Sequence, residues 1–162
     1  MQKTATVPRF LLVVIIVAAS FLAPGWGFRR TDALTLPYTS YLFSVGSIDS
    51  TRGFAYFSTS SYYEHIVRIH LSDFSYVSNL TLVNGYPSTA AVVDTLGGYA
   101  YFVSEQSNIT KIRLSDFSPQ GSKVLPLQGH SGCSNYGFPS AVIDSIAGFA
   151  YFGPSYSCSL QR

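Results

Sequence analysis

The chain is 162 residues long, 47% hydrophobic and 15% aromatic, which excludes a disordered tail and leaves apolar mass for one domain with a core. Charged residues make up only 11%, against roughly 25% in ordinary soluble domains, and no Lys/Arg stripe with interleaved aromatics occurs, so nucleic acid is set aside as a partner. The formal charge of +2 arises from Lys3 and Arg9 at the amino terminus; from Phe28 onward eight basic residues balance eight acidic ones.

Residues 1–27 have the form of a secretory signal peptide. Lys3 and Arg9 precede an apolar run of 14 residues, Phe10 to Ala23, and Pro24-Gly25-Trp26-Gly27 follows it. A helix that spans a bilayer takes about 20 residues. The run therefore suits a cleaved signal, with Gly25 and Gly27 as the small residues before a cut ahead of Phe28. Arg29 and Arg30 lie just beyond, where positive charge favours the cytoplasmic side, so the alternative is a signal-anchor through residues 10–23. The remainder is expected to be secreted or extracellular, with membrane contact only if the segment stays uncleaved. Residues 28–42 read as a linker.

From residue 43 the sequence repeats. Ile48-Asp49-Ser50-Thr51-Arg52-Gly53-Phe54-Ala55-Tyr56-Phe57 recurs as Val93-Asp94-Thr95-Leu96-Gly97-Gly98-Tyr99-Ala100-Tyr101-Phe102 and as Ile143-Asp144-Ser145-Ile146-Ala147-Gly148-Phe149-Ala150-Tyr151-Phe152. A second block, Ile66-Val67-Arg68-Ile69-His70-Leu71-Ser72-Asp73-Phe74, returns as Ile109-Thr110-Lys111-Ile112-Arg113-Leu114-Ser115-Asp116-Phe117. Successive Asp residues are 45 and then 50 positions apart, with the extra residues in the loop from Gly129 to Phe138. A period of about 40 to 50 built from short strands indicates propeller blades. A helical solenoid would need apolar residues three and four apart, and Gly, Pro and Ser interrupt every such window.

Each unit divides into four strands, in the second unit Ser88 to Val93, Tyr99 to Val103, Ile109 to Leu114 and Lys123 to Leu127. The fold class is all-β, an incomplete propeller of antiparallel four-stranded blades: blade one over 43–86, blade two over 87–130, a partial blade three over 131–162. Asp49, Asp94 and Asp144 end the first strands, where a carboxylate accepts backbone N–H groups in the tight connection, and Gly53, Gly98 and Gly148 supply the permissive backbone that closes it. Catalytic carboxylates are the competing reading; a residue repeated in every blade is more simply a turn former. In the third strand Val67, Ile69 and Leu71 alternate with Arg68 and His70, and Ile112 and Leu114 with Lys111 and Arg113. That pattern reads as an apolar face and a solvated basic one.

The pattern resembles the blades of the broad NHL- and YVTN-type propeller superfamily over residues 43 to 153. It departs from relatives of other kinds: no Trp-Asp ends a strand as in WD blades, and the doubled Gly of kelch blades occurs only at Gly97-Gly98. The resemblance implies a ligand- or protein-binding platform. A minority of such proteins are lactonases or other hydrolases with a metal in the channel, and nothing here maps onto their ligands.

Closure of a propeller takes at least four blades, and two and a half suggest a partial product or, less simply, assembly of several chains. Asn79-Leu80-Thr81 and Asn108-Ile109-Thr110 satisfy the glycosylation sequon, and two cysteines in an exported chain suggest one disulfide. Blade topology brings the loop entering the first strand, which holds Cys133, to the same rim as the loop joining the second and third strands, which holds Cys158. A Cys133–Cys158 bond is expected. A metal site using His130 with both cysteines lacks the fourth ligand that zinc wants. His65 and His70 are an odd number apart on one strand and face opposite sides.

No nucleophile elbow, phosphate loop or dinucleotide fingerprint occurs, so neither a catalytic residue nor a cofactor is assigned. The leading expectation is a non-catalytic binding module for an unidentified protein or glycan. A lactonase-like hydrolase with its site in further blades is the alternative, and a non-functional fragment the third reading.

Overall fold

A computed structural model describes residues 13–19, 28–36, 43–60, 63–82, 86–125 and 137–154. Cys133, Cys158 and His130 lie outside the described residues, as do Lys3 and Arg9, so the expected disulfide is not visible in the fold.

The architecture is all-β. Strands β3 (Phe43–Asp49), β4 (Phe54–Thr59), β5 (Glu64–His70) and β6 (Tyr76–Leu82) form a first antiparallel sheet in sequential order. A second sheet repeats it with β7 (Ser88–Asp94), β8 (Tyr99–Ser104), β9 (Asn108–Arg113) and β10 (Ser118–Val124). The third contains β11 (Ser140–Asp144) and β12 (Phe149–Gly153). Upstream, β1 (Val13–Ala19) pairs with β2 (Phe28–Thr35). These two occupy the apolar run of the expected signal and the stretch read as linker. Among the described residues no helix is long and apolar enough to cross a membrane.

Register explains the repeated residues. Asp49 stands opposite Phe54, Asp94 opposite Tyr99 and Asp144 opposite Phe149, so one hairpin is built three times. Its closing glycines, Gly53, Gly98 and Gly148, have φ of 73°, 78° and 75°, a left-handed conformation in which a Cβ is strained. A Cβ on Gly98 would meet only the Arg52 Nη2 atom, at 3.4 Å, so the cost of replacement comes from the backbone. Gly98→Ala is expected to lower unfolding free energy by about 1 kcal/mol or somewhat more, read as a shifted urea midpoint with unchanged slope.

The first strands of the sheets run side by side, β7 lying between β3 and β11, and apolar layers fill the gaps between sheets. Tyr56, Ile66 and Leu82 of the first sheet pack on Ala100, Phe102, Ile112, Leu114 and Phe117 of the second. Val92 and Val103 of the second pack on Phe138 and Phe152. The opposite face of the first sheet, with Val67 and Ile69, is covered by Leu34 at the end of β2 and Leu36 just after it. Complete burial of a side chain such as Ile66, Ile69 or Ile112 contributes about 1.5–3 kcal/mol.

Two expectations need correction. The fourth strand of the second unit begins at Ser118, not Lys123. The turn before it is tight: the Ser118 N–H and hydroxyl both donate to Asp116 Oδ1, at 3.2 and 2.7 Å, and Phe117 takes a left-handed φ of 54°. Pairing therefore resumes at once, with an irregularity between Pro119 and Gly121. The basic residues of the third strands also do not form a uniformly solvated face. Arg113 is exposed, but Arg68 and Lys111 are half-buried and stack on aromatic rings, because the first and second sheets have neighbours packed on both faces.

Candidate functional site

The antiparallel order gives the stack two rims. One carries the β3–β4, β7–β8 and β11–β12 turns, built on the repeated Asp residues. The Asp94 carboxylate accepts the Gly97 N–H at 2.9 Å, and Asp144 accepts those of Ile146 and Ala147 at 3.1 and 3.0 Å. Asp49 is buried and accepts from the Thr51 hydroxyl, from the Arg52 N–H at 3.1 Å and from Arg52 Nη1 at 3.0 Å. Burial pushes the Asp49 carboxyl up, but the hydrogen bonds from Thr51 and Arg52 and the Arg52 charge outweigh it and hold the group below the usual carboxylate range. Arg52 Nη1 also donates to the Thr95 carbonyl at 3.1 Å, tying the first sheet to the second. Asp49→Ala removes the carboxylate that pairs with Arg52 and opens that turn, so a loss of about 1–3 kcal/mol is expected. Asp144→Ala, at an exposed turn, should cost less; paired urea titrations separate the two.

A second set of turns on this rim was not read from the sequence. In Leu71-Ser72-Asp73-Phe74-Ser75 and Leu114-Ser115-Asp116-Phe117-Ser118, Asp73 and Asp116 each accept the backbone N–H and the hydroxyl of the serine two residues on. Those bonds hold both carboxyls below their ordinary range. The signal was present, a five-residue repeat with Asp and Ser two apart, an Asx-turn spacing.

The tips of the first set of turns vary while their frame does not. Thr51, Leu96 and Ile146 occupy one repeat position, and Leu96 is 70% and Ile146 92% exposed. Two of the three tips thus present a large apolar side chain to solvent.

The other rim holds an unusual acid. Glu64 opens β5 and is 2% exposed, and its Oε1 accepts the Ser88 N–H at the start of β7, 2.9 Å away. Burial pushes its carboxyl up to about 7, against weaker lowering by hydrogen bonds from Ser88 and Ser58. Sequence reasoning did not single it out.

Between the sheets, the Arg68 guanidinium carbon is 5.1 Å from the Phe54 ring centroid and 4.8 Å from that of Phe117. Its counterpart Lys111 has its ammonium 3.7 Å from the Tyr99 centroid and 5.8 Å from that of Tyr101. Beside Lys111 lies a cavity of about 500 Å³, between the outer half of the second sheet and the third sheet. Its lining includes Tyr101, Lys111, Lys123, Leu125, Ala150 and Phe152.

The sequons occupy strands. Asn79 is half-buried in β6; its Oδ1 accepts the Tyr76 hydroxyl at 2.7 Å and its Nδ2 lies 3.3 Å from His65 Nδ1. Thr81 Oγ1 lies 3.0 Å from that same nitrogen, and burial lowers the His65 pKa. Asn108 opens β9, and Thr110 is buried with its hydroxyl 3.0 Å from that of Ser122. His70 is packed on Phe54, ring centroids 4.6 Å apart. Among the described residues no three His, Cys, Asp or Glu side chains converge as a metal site would require.

No protein-family model matches the chain, and no curated protein matches it.

Proposed function

We propose that the chain is an arc of β-propeller blades, exported from the cytoplasm, that acts as a non-catalytic platform for a protein or glycan. The observation that carries this reading is the constant frame with variable tips. Asp, Gly, Ala, Tyr and Phe recur in each hairpin, while the residues displayed between Asp and Gly change from Ser50-Thr51-Arg52 to Thr95-Leu96-Gly97 and Ser145-Ile146-Ala147. A rigid scaffold that varies only its surface turns is the usual arrangement of a recognition surface. The repeated carboxylates are committed to their own turns, which leaves them poorly placed for acid–base chemistry. Glycans at Asn79 and Asn108 and a Cys133–Cys158 bond belong to the same reading, and mass mapping of the secreted chain without reduction tests both.

The experiment compares the secreted chain with a Leu96→Ser, Ile146→Ser double variant on a glycan array and on intact cells. Saturable binding that the variant loses by tenfold or more, with its circular dichroism unchanged, supports the platform. Undiminished binding by the variant overturns the assignment to this rim. Hydrolysis of a lactone or ester panel by the purified chain favours the enzymatic alternative.

A further inference from the structure

The β3–β4, β5–β6, β7–β8, β9–β10 and β11–β12 connections all lie on the rim of the repeated Asp turns, and all are among the described residues. The two kinds of turn touch one another. The Leu71 N–H donates to the Gly53 carbonyl and the Leu114 N–H to the Gly98 carbonyl, both at 2.9 Å, while Arg52 reaches across to the Thr95 carbonyl. The turns therefore form one surface.

Two of these turns repeat a pair of groups that the first lacks. Asp94-Thr95-Leu96 and Asp144-Ser145-Ile146 each set a carboxylate two residues before an exposed aliphatic side chain, on neighbouring sheets whose first strands lie side by side. In the first sheet the corresponding residues are Asp49 and Thr51. Asp49 is buried and paired with Arg52 at 3.0 Å, so that turn offers neither an unpaired charge nor an aliphatic tip.

The other ion pair among the described residues joins Arg113 to Asp116 at 3.2 Å. Asp94 and Asp144 have no cationic partner among the described residues. Each commits Oδ1 to the N–H groups of its own turn, and its Oδ2 makes no hydrogen bond there. Asp73, exposed in the β5–β6 turn near His70, adds negative charge to the same rim.

We propose that the β7–β8 and β11–β12 turns together bind an extended segment of a separate protein with the pattern aliphatic-x-cation, the cation being Lys or Arg. In an extended chain residues two apart share a face. Such a segment lays its aliphatic side chains on Leu96 and Ile146 and its cations on Asp94 and Asp144. Apolar contact supplies affinity, and charge complementarity selects the partner. The same charge decides against other occupants: an anionic lipid surface meets carboxylates of its own sign, and a neutral or acidic glycan has no cation to offer. A second copy of the chain is disfavoured because Ile66-x-Arg68 and Ile109-x-Lys111, the segments of this pattern among the described residues, lie in interior strands of their sheets. The inference rests on the platform reading of this rim and names its partner class.

The test uses the full chain and a synthetic peptide that repeats Leu-Ser-Lys-Ser, titrated by calorimetry. Saturable binding is expected. Replacing every leucine of the peptide by serine, or every lysine by serine, should weaken it about tenfold or more, and rising salt should weaken it progressively. Asp94→Asn with Asp144→Asn keeps a side-chain oxygen for each turn and removes the charge. This double variant should bind the parent peptide about tenfold more weakly and lose the response to salt. No binding, equal binding of all three peptides by the parent chain, or undiminished binding by the Asn variant with unchanged circular dichroism would overturn the proposal. Binding to phosphatidylserine vesicles or to an arrayed glycan that the Asn variant retains would assign the rim to that class instead, and concentration-dependent self-association that competes with the peptide would assign it to a second copy. Intact cells separate the two readings. Loss of cell binding by the Leu96→Ser, Ile146→Ser chain but not by the Asn variant leaves the platform standing and rejects this partner class, whereas undiminished binding by both rejects the rim itself.

Discussion

Glu64→Gln is expected to make the chain more stable at pH 8 and to remove most of the pH dependence of its unfolding between about pH 5 and 8. Glu64 is buried where the first and second sheets meet, and its carboxyl is raised from an ordinary 4.5 to about 7. The groups that face it are hydroxyls and a backbone N–H of Ser88 and Ser58, and neither ion pair among the described residues involves it. A folded-state pKa above the unfolded value means that the folded chain binds the proton more tightly. The stabilisation is therefore complete below about pH 4.5 and is lost as pH rises through about 7. A shift of this size corresponds to on the order of 3 kcal/mol. Glutamine keeps a carbonyl to accept the Ser88 N–H and carries no charge at any pH. Urea unfolding at pH 5 and pH 8, followed by circular dichroism, checks this: the parent should lose stability across that range and the variant should not. Parallel curves for the two proteins would show that Glu64 is solvated when ionised.

Phe102→Ala should be the most destabilising single change in the core. Phe102 is 1% exposed and stands in β8 opposite Ala91 on one side and Thr110 on the other. Its side chain lies in the layer shared with Tyr56, Ile66 and Phe117. Truncation removes the ring and leaves a hole between two sheets, neither of which can close over it without moving a whole strand. A loss of about 3–5 kcal/mol is expected, a large part of the stability of a domain this size. The variant should show a lower urea midpoint and reduced packing of the first sheet on the second. A loss below 1 kcal/mol would mean that the layer is looser than its burial implies.

The turns of the first set were legible because their chemistry is local. A carboxylate reaching N–H groups two or three residues ahead, and a glycine at positive φ, are specified within six residues, and repetition made them conspicuous. The start of β10 was missed although Leu114-Ser115-Asp116-Phe117-Ser118 encodes the turn before it. The stretch that follows, Ser118-Pro119-Gln120-Gly121-Ser122, lacks the β-branched and aromatic residues by which a strand is recognised. Arg68 and Lys111 were read as facing water because alternation reports two faces but not what covers each. Here the covering groups are Phe117, from the next repeat, and Tyr99, from the neighbouring strand. Glu64 was silent for the same reason: its partner Ser88 lies 24 residues away on another sheet, and a lone glutamate at a strand start carries no mark of burial. The cavity beside Lys111 depends on the stacking of sheets, which no single repeat encodes.

The most direct test of the stacked-sheet arrangement is the contact between the Tyr56 and Phe117 rings, which belong to different sheets and have centroids 5.9 Å apart. Nuclear Overhauser spectra of the isotopically labelled chain should give strong cross-peaks between these two rings and from Phe117 to the Arg68 side chain. Sequential contacts within each sheet without any cross-peak from Phe117 to Tyr56 or Arg68 would contradict the arrangement.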